Sequence, residues 1–203
     1  MFNVSSSQFN YLYGDQIHFP YSIGRLVTYA KTNQEINSTF NFLPTYIFRD
    51  ELENYVLKCK NSDILLSSCY VWNWEITLEL AKKVKQVNPN CLIIFGGPQV
   101  PNRSNDFFEK YPFVDILVHG EGELILENIL LEFKNGKDFS NIHGIETKDF
   151  INKPQPRIKD VNTLPSPYLS DVIWDLVEER PGIKYIAAWE TNRGCPYPCT
   201  FCD

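Results

Sequence analysis

Cys91-Leu92-Ile93-Ile94-Phe95-Gly96-Gly97-Pro98 is the stretch on which the fold turns. Its first five residues are apolar without interruption, too few for a helix and well suited to a strand buried on both faces. Gly-Gly-Pro then ends the strand abruptly. A strand buried on both faces needs helices above and below it, and the neighbouring segments supply them. Trp74 to Val87 sets Ile76, Leu78, Leu80, Ala81 and Val84 on one helical face. Glu121 to Phe133 reads as a second strong helix, and Asn105 to Lys110 as a short one. Asp63 to Ser68 and Val114 to Val118 are further short apolar strands.

The alternation extends toward the N-terminus. Phe2 to Asn10 reads as a strand weakened by its serines, followed by a loop from Tyr11 to Pro20. Ser22 is placed to cap a helix to Lys31, with Ile23, Leu26, Val27 and Ala30 on one face. Thr39 to Phe48 is a strand by its aromatic and β-branched content, despite Pro44. Asp50 to Lys58 is a short helix with Leu52, Tyr55 and Val56 inward. Strands alternating with helices predict an α/β fold: a doubly wound, Rossmann-like parallel sheet of about five strands over residues 1–135. Residues 136–184 read as a linker with short local elements, one of them a strand between Ile142 and Thr147, punctuated by Pro154, Pro156, Pro165 and Pro167. Tyr185 to Trp189 would open a second domain.

Composition narrows the function classes. Hydrophobic residues make up 43%, which is enough for a packed core. A net charge of −6 argues against a nucleic-acid platform, which needs a basic face. No run is long and apolar enough to span a membrane. The N-terminus lacks the blocks of a signal peptide. Six cysteines without such a peptide point to a reducing compartment, with the cytoplasm expected.

The cysteines are unevenly used. Cys59, Cys69 and Cys91 are scattered and read as buried bystanders. Cys195, Cys199 and Cys202 form a Cys-x3-Cys-x2-Cys run in Cys195-Pro-Tyr-Pro-Cys-Thr-Phe-Cys-Asp203. Three thiolates at this spacing suit three irons of a 4Fe-4S cluster and leave the fourth iron open. Zinc would favour paired Cys-x2-Cys units or a nearby histidine, and a disulfide would favour a secreted scaffold. The spacing therefore favours iron and sulfur.

In an open α/β sheet, ligands sit outside the C-terminal ends of the strands. The segments there carry Tyr13-Gly14-Asp15, Ser68-Cys69-Tyr70-Val71-Trp72-Asn73, Gly96-Gly97-Pro98-Gln99 and His119-Gly120-Glu121-Gly122-Glu123. Glycines let backbone amides approach a ligand, and Tyr70 and Trp72 supply flat walls. The same residues also fit turns, a helix start and interface packing.

Two resemblances join these motifs. The cysteine run, with Phe201 before its last cysteine and Glu190-Thr191-Asn192-Arg193-Gly194 ahead of it, resembles the signature of radical S-adenosylmethionine (radical SAM) proteins. Residues 1–134 look like the cobalamin-binding domain that precedes many radical SAM domains. Leu66 to Asn73, Gly96-Gly97-Pro98 and Gly120-Glu121-Gly122-Glu123 resemble its strand-end segments, and Asp160 to Tyr168 resembles the link that follows it. The resemblance implies that residues 185–203 start a radical SAM partial barrel, so that the chain is the front part of a longer enzyme and inactive alone.

It further implies a 4Fe-4S cluster on Cys195, Cys199 and Cys202, whose open iron binds S-adenosylmethionine, with Phe201 near the adenine. Reductive cleavage would give a 5′-deoxyadenosyl radical, and cobalamin would serve methyl transfer to carbon. Ser68, Gly96 and Gly97 would line the cobalamin tail, with Tyr70, Pro98, Gly120 and Glu121 as further contacts. Arg193 and Asn192 would lie near the cluster without assigned roles. The expected partners are a small-molecule substrate and a reductant such as flavodoxin or ferredoxin. The Asp-x-His-x-x-Gly motif of cobalamin proteins with an axial histidine is missing: Asp15-Gln16-Ile17-His18 has the wrong spacing, and His119 and His143 lie elsewhere. The alternative is a non-catalytic Rossmann-like cap or docking domain, its pocket plugged by Tyr70, Trp72 or Gln99. Methylthiotransferases, with a second cluster on additional cysteines, would need Cys59, Cys69 and Cys91 to converge.

Overall fold

A computed structural model describes residues 1–102, 106–195, 197, 199 and 200. The elements in chain order are β1 (Phe2–Ser7), β2 (Gln16–His18), α1 (Tyr21–Lys31), α2 (Gln34–Thr39), β3 (Phe40–Tyr46), α3 (Leu52–Lys58), β4 (Ile64–Ser68), α4 (Trp74–Val87), β5 (Leu92–Gly96), α5 (Phe107–Lys110), β6 (Ile116–Val118), α6 (Gly122–Asn135), β7 (Ile145–Glu146), α7 (Val172–Asp175) and β8 (Lys184–Ile186).

The main sheet has six strands in the order β3-β1-β4-β5-β6-β7. The first five are parallel, and β7 adds an antiparallel edge to β6. The fold is therefore the expected α/β, Rossmann-like one, with a sixth strand, β7, inside the Ile142 to Thr147 span read as a strand. Chain order reverses between β1 and β4, which places the topological switch point there.

Side-chain alternation explains why both faces are covered. Leu65, Ile93, Phe95 and Leu117 pack into the core under α3 and α4, while Val4, Ile64, Leu66, Ile94 and Ile116 face α1 and α6. Helix α6 answers with Ile125, Leu126, Ile129, Leu130 and Phe133, at helical spacing.

The serines that weakened β1 on paper are what hold it in the middle of the sheet. Ser5 Oγ lies 3.0 Å from Tyr46 Oη and 2.7 Å from Ser62 Oγ. Ser6 pairs with Thr45 at 2.9 Å, and Ser7 with Ser67 at 2.9 Å. Each buried hydroxyl finds another hydroxyl across the ladder, so none of this polarity is left desolvated and unpaired.

Several features differ from the sequence reading, among them the cap of α1, where Pro20 and not Ser22 holds the N-cap position and no side chain caps the helix. Helix α2 lies where no helix was expected; Asn33 Oδ1 caps it by accepting from Glu35 N at 3.0 Å and Ile36 N at 3.4 Å. The loop from Tyr11 to Pro20 contains β2, which pairs in parallel with β8 through Gln16–Lys184, Ile17–Tyr185 and His18–Ile186. Residues 136–184 also pack closely: Ile142, Ile145, Val172 and Leu176 are buried in the core beside α1 and α6. Gly24 of α1 makes room for Ile173, whose Cδ1 would stand 3.1 Å from an added Cβ.

Candidate cofactor site

A cavity of about 710 Å³ opens at the C-terminal ends of β4, β5 and β6. Its volume falls within the range of small-molecule and cofactor pockets. Its inner wall is apolar: Leu66, Ile94 and Val118 on the sheet, Ile23 and Leu26 on α1, Leu126 and Ile129 on α6. The mouth is formed by Ser68, Tyr70, Gly96, Gly97, Gly120, Glu121 and Gly122. Ala188 to Gly194 and the strap carrying Gln155 and Arg157 close it from above.

The backbone explains the mouth. Gly96 ends β5 opposite Val118, and a Cβ there would meet only Val118 Cβ, at 3.6 Å. Gly97 has φ +106°, and a Cβ there would stand 2.6 Å from the carbonyl oxygen of Cys69. The two strand-end turns are pressed together at this point: Cys69 N donates to Gly96 O at 2.7 Å, and Gln99 N donates to Cys69 O at 3.1 Å. That turn leaves Pro98 exposed and outside the cavity lining. Gly120, at φ +82°, has nothing within 4 Å of an added Cβ, so its surroundings are open.

Ser68 is 6% exposed, and its hydroxyl has no hydrogen-bond partner among the described residues. An unspent hydroxyl at the rim of an apolar cavity is free to meet a polar ligand group. Tyr70 bonds Ser22 Oγ on α1 at 2.6 Å and stacks on Trp72, with ring centroids 4.4 Å apart. Tyr70 is thus fixed in the wall, while Trp72 backs it from outside. Neither Trp72 nor Gln99 lines the cavity, and the space remains open.

Asn73, which the sequence reading left without a role, is fully buried and holds this loop in place. Its amide donates to Ser68 O at 3.0 Å and Phe9 O at 3.3 Å, and its Oδ1 accepts from Tyr70 N at 2.8 Å. Its signal in the sequence was an asparagine just before a helix, but its partner carbonyls come from the end of β4 and from Phe9 in the segment after β1.

Charge gathers at the roof. Glu123, in the first turn of α6, keeps 3% of its side-chain surface. Arg193 grips it through Nη1 and Nη2, Nη1 lying 3.2 Å from Oε2. Arg25 approaches Glu123 at 3.7 Å, and Arg193 also meets Glu190 at 3.1 Å and Glu121 at 3.7 Å. Burial works against charge on Arg193, but its bonds to Glu123 and Glu190 outweigh it and hold the guanidinium protonated well above its usual range.

Cys195 and Cys199 are free and exposed. Cys202 and Phe201 lie outside the described residues. No group of three or more metal-ligating side chains is assembled among the described residues. Cys59, Cys69 and Cys91 are buried, and burial pushes each thiol up, Cys91 to about 12. No histidine lines the cavity: His18 is exposed on β2, and His119 Nε2 lies 3.2 Å from Glu146 Oε2.

Residues 35–130 match the family of B12 binding domains. The chain contains a B12-binding domain. The match spans α2 through most of α6, and so includes the β4, β5 and β6 ends that frame the cavity.

The B12-binding domain and its flanks resemble two curated methyltransferases. One is the 2-(S-pantetheinyl)-carbapenam-3-carboxylate methyltransferase of Streptantibioticus cattleyicolor, 36% identical over 191 residues, which are 91% of this chain. The other is the cobalamin-dependent radical SAM methyltransferase TokK of Streptomyces tokunonensis, 37% identical over 192 residues, again 91% of this chain. The chain spans 28% of the length of each of these relatives. Among solved structures, the radical S-adenosylmethionine methyltransferase TsrM from Kitasatospora setae, with cobalamin and a 4Fe-4S cluster bound, superposes with a TM-score of 0.54. That match has 15% identity and covers 71% of this chain and 28% of TsrM. At that identity TsrM bears on the fold alone. No helix among the described residues is long and apolar enough to cross a membrane.

Proposed function

We propose that this chain is the cobalamin-holding part of a radical SAM enzyme, with cobalamin in the cavity and a 4Fe-4S cluster on Cys195, Cys199 and Cys202. The observation that carries the reading is an adjacency. The segment that roofs the cavity, Ala188 to Gly194, runs directly into Cys195. A cofactor in the sheet and a cluster on the cysteines would therefore face one another across one short strap.

The residues present fit cobalamin. The apolar cleft between the sheet and α1 and α6 suits a flat heteroaromatic tail, Ser68 offers a free hydroxyl, and the Gly96 and Gly120 backbones leave room for close approach. Bound there, cobalamin would supply a carrier for a methyl group, and the cluster would supply the electron that cleaves S-adenosylmethionine. The chain's own contribution is to bind and to exclude water. Tyr70 walls the cleft, Arg193 and Glu123 hold its roof, and the cysteines ligate. No histidine is among the described residues that line the cavity. The two methyltransferase relatives support methyl transfer as the reaction class. A small-molecule substrate and a reductant of the flavodoxin or ferredoxin type complete the proposal, in the cytoplasm. The cap-domain alternative needed a plugged pocket, and the open 710 Å³ does not favour it.

The test is a dark titration of the chain with hydroxocobalamin, read by visible absorption, followed by anaerobic reconstitution with iron and sulfide. Saturable binding with shifted bands supports the cobalamin site. No binding at high micromolar concentration refutes it. Cluster absorption that survives Cys195→Ala would refute the ligand assignment.

A further inference from the structure

The roof of the cavity is not held by apolar packing. Trp189, in the middle of it, is 83% exposed. Its start is fixed by the Tyr168 hydroxyl, which donates to Ala188 O at 2.8 Å and accepts from Ala188 N at 3.0 Å, and Glu190 N reaches Tyr21 Oη at 3.5 Å. What ties down its far end is charge. A carboxylate buried as deeply as Glu123 is costly unless paired, and the start of α6 favours its negative charge only in part. Arg193 meets it fork to fork, which fixes orientation as well as distance. Without Arg193, Glu123 would keep Arg25 alone, at 3.7 Å. Glu190 completes the tie from within the roof, 3.1 Å from Arg193 and 3.9 Å from Arg25. Arg193 stands two residues before Cys195.

We propose that Arg193 is a positioning residue. Its pair with Glu123 docks the roof onto α6, so that occupancy of the cavity and the placement of the Cys195 loop depend on each other. This rests on the cobalamin and cluster assignments made above. The dependence is reciprocal: a ligand that favours the docked roof favours the placement of Cys195, and an undocked roof weakens the ligand.

The bond after Arg193 reports docking directly, because trypsin must take that guanidinium out of its pair to cleave there. Glu123→Gln should be cut at Arg193–Gly194 about tenfold faster than wild type, as expected when a locally protected site opens more often. Its hydroxocobalamin affinity should fall about tenfold, within the usual range of coupling between sites. Hydroxocobalamin should slow the cut in wild type and protect much less in the variant. Arg193→Lys keeps a trypsin site and the charge but loses the fork, and it lies outside the hydrophobic core, so it serves if Glu123→Gln fails to fold; it should fall between the two. Unchanged cleavage in the folded variants would overturn the docking, and faster cleavage with unchanged affinity would overturn the coupling. A wild-type chain that takes up no hydroxocobalamin overturns the cobalamin assignment itself, and the coupling with it, whatever trypsin reports. Normal uptake by wild type and by both variants alike overturns the coupling alone.

Discussion

Three glycines on the cavity mouth should respond to alanine in three different ways. In Gly97→Ala, the new Cβ would lie 2.6 Å from Cys69 O and 3.0 Å from Cys69 N, at φ +106°. Both obstacles are backbone, and that backbone is pinned by the Cys69 N to Gly96 O and Gln99 N to Cys69 O bonds. Conformational strain and overpacking together cost about 3–5 kcal/mol. In a chain of this length each kcal/mol moves the melting temperature by about 2–4 °C, so the transition should fall by about 6–20 °C. In Gly120→Ala only the φ of +82° is penalised, since nothing lies within 4 Å, and the loss should be about 1–2 kcal/mol. Gly96→Ala carries no positive φ and meets Val118 Cβ at an ordinary 3.6 Å, so its stability should stay within about 0.5 kcal/mol of wild type. Yet its methyl group enters the mouth, and hydroxocobalamin affinity should fall about tenfold, or about 1.4 kcal/mol. Thermal unfolding followed by circular dichroism, with a cobalamin titration of each variant, separates the cases. A Gly97→Ala melting point within about 2 °C of wild type would refute the reasoning about close approach. A Gly96→Ala variant with wild-type affinity would show that the ligand does not pass that rim.

Three further outcomes are expected. Cys59, Cys69 and Cys91 are buried with raised thiol pKa values, while Cys195 and Cys199 are exposed, so a thiol reagent at neutral pH should label those two quickly and the first three only on unfolding, as checked by peptide mass mapping. Ser5→Ala removes one hydroxyl that serves both Tyr46 and Ser62, and should cost about 1–3 kcal/mol in denaturant unfolding; a neutral result would show that the buried ladder does not bind β1 in place. His18→Gln and His119→Gln should leave the visible spectrum of the bound cobalamin unchanged, because neither residue lines the cavity; a band shift in either would reveal an imidazole ligand.

Much of the fold was legible because strands buried on both faces and amphipathic helices leave strong local patterns. Cys91 to Phe95 and Trp74 to Val87 read correctly for that reason, and the strand-end glycines pointed to the mouth of the cavity. Helix α2 escaped notice because its six residues carry only one buried side chain, Ile36, and its cap is the clearer signal. Strand β2 escaped because three residues have no periodicity, and only pairing with β8 makes them a strand.

The sequence alone determined the alternation of elements, the parallel sheet, the glycine turns and the spacing of the cysteines, since each is set within a dozen residues by backbone sterics, side-chain period or ligand spacing. Only the tertiary structure decided the rest. Glu123 and Arg193 are 70 residues apart, and no local pattern marks them as partners. The resemblance put Ser68 beside a cofactor tail, but only the structure shows its hydroxyl without a partner at the cavity rim. Gly97 looks like any turn glycine until Cys69 from the neighbouring strand is found against it. These roles arise from long-range packing, where burial removes water and makes each charge or hydroxyl depend on what another strand or helix brings to it.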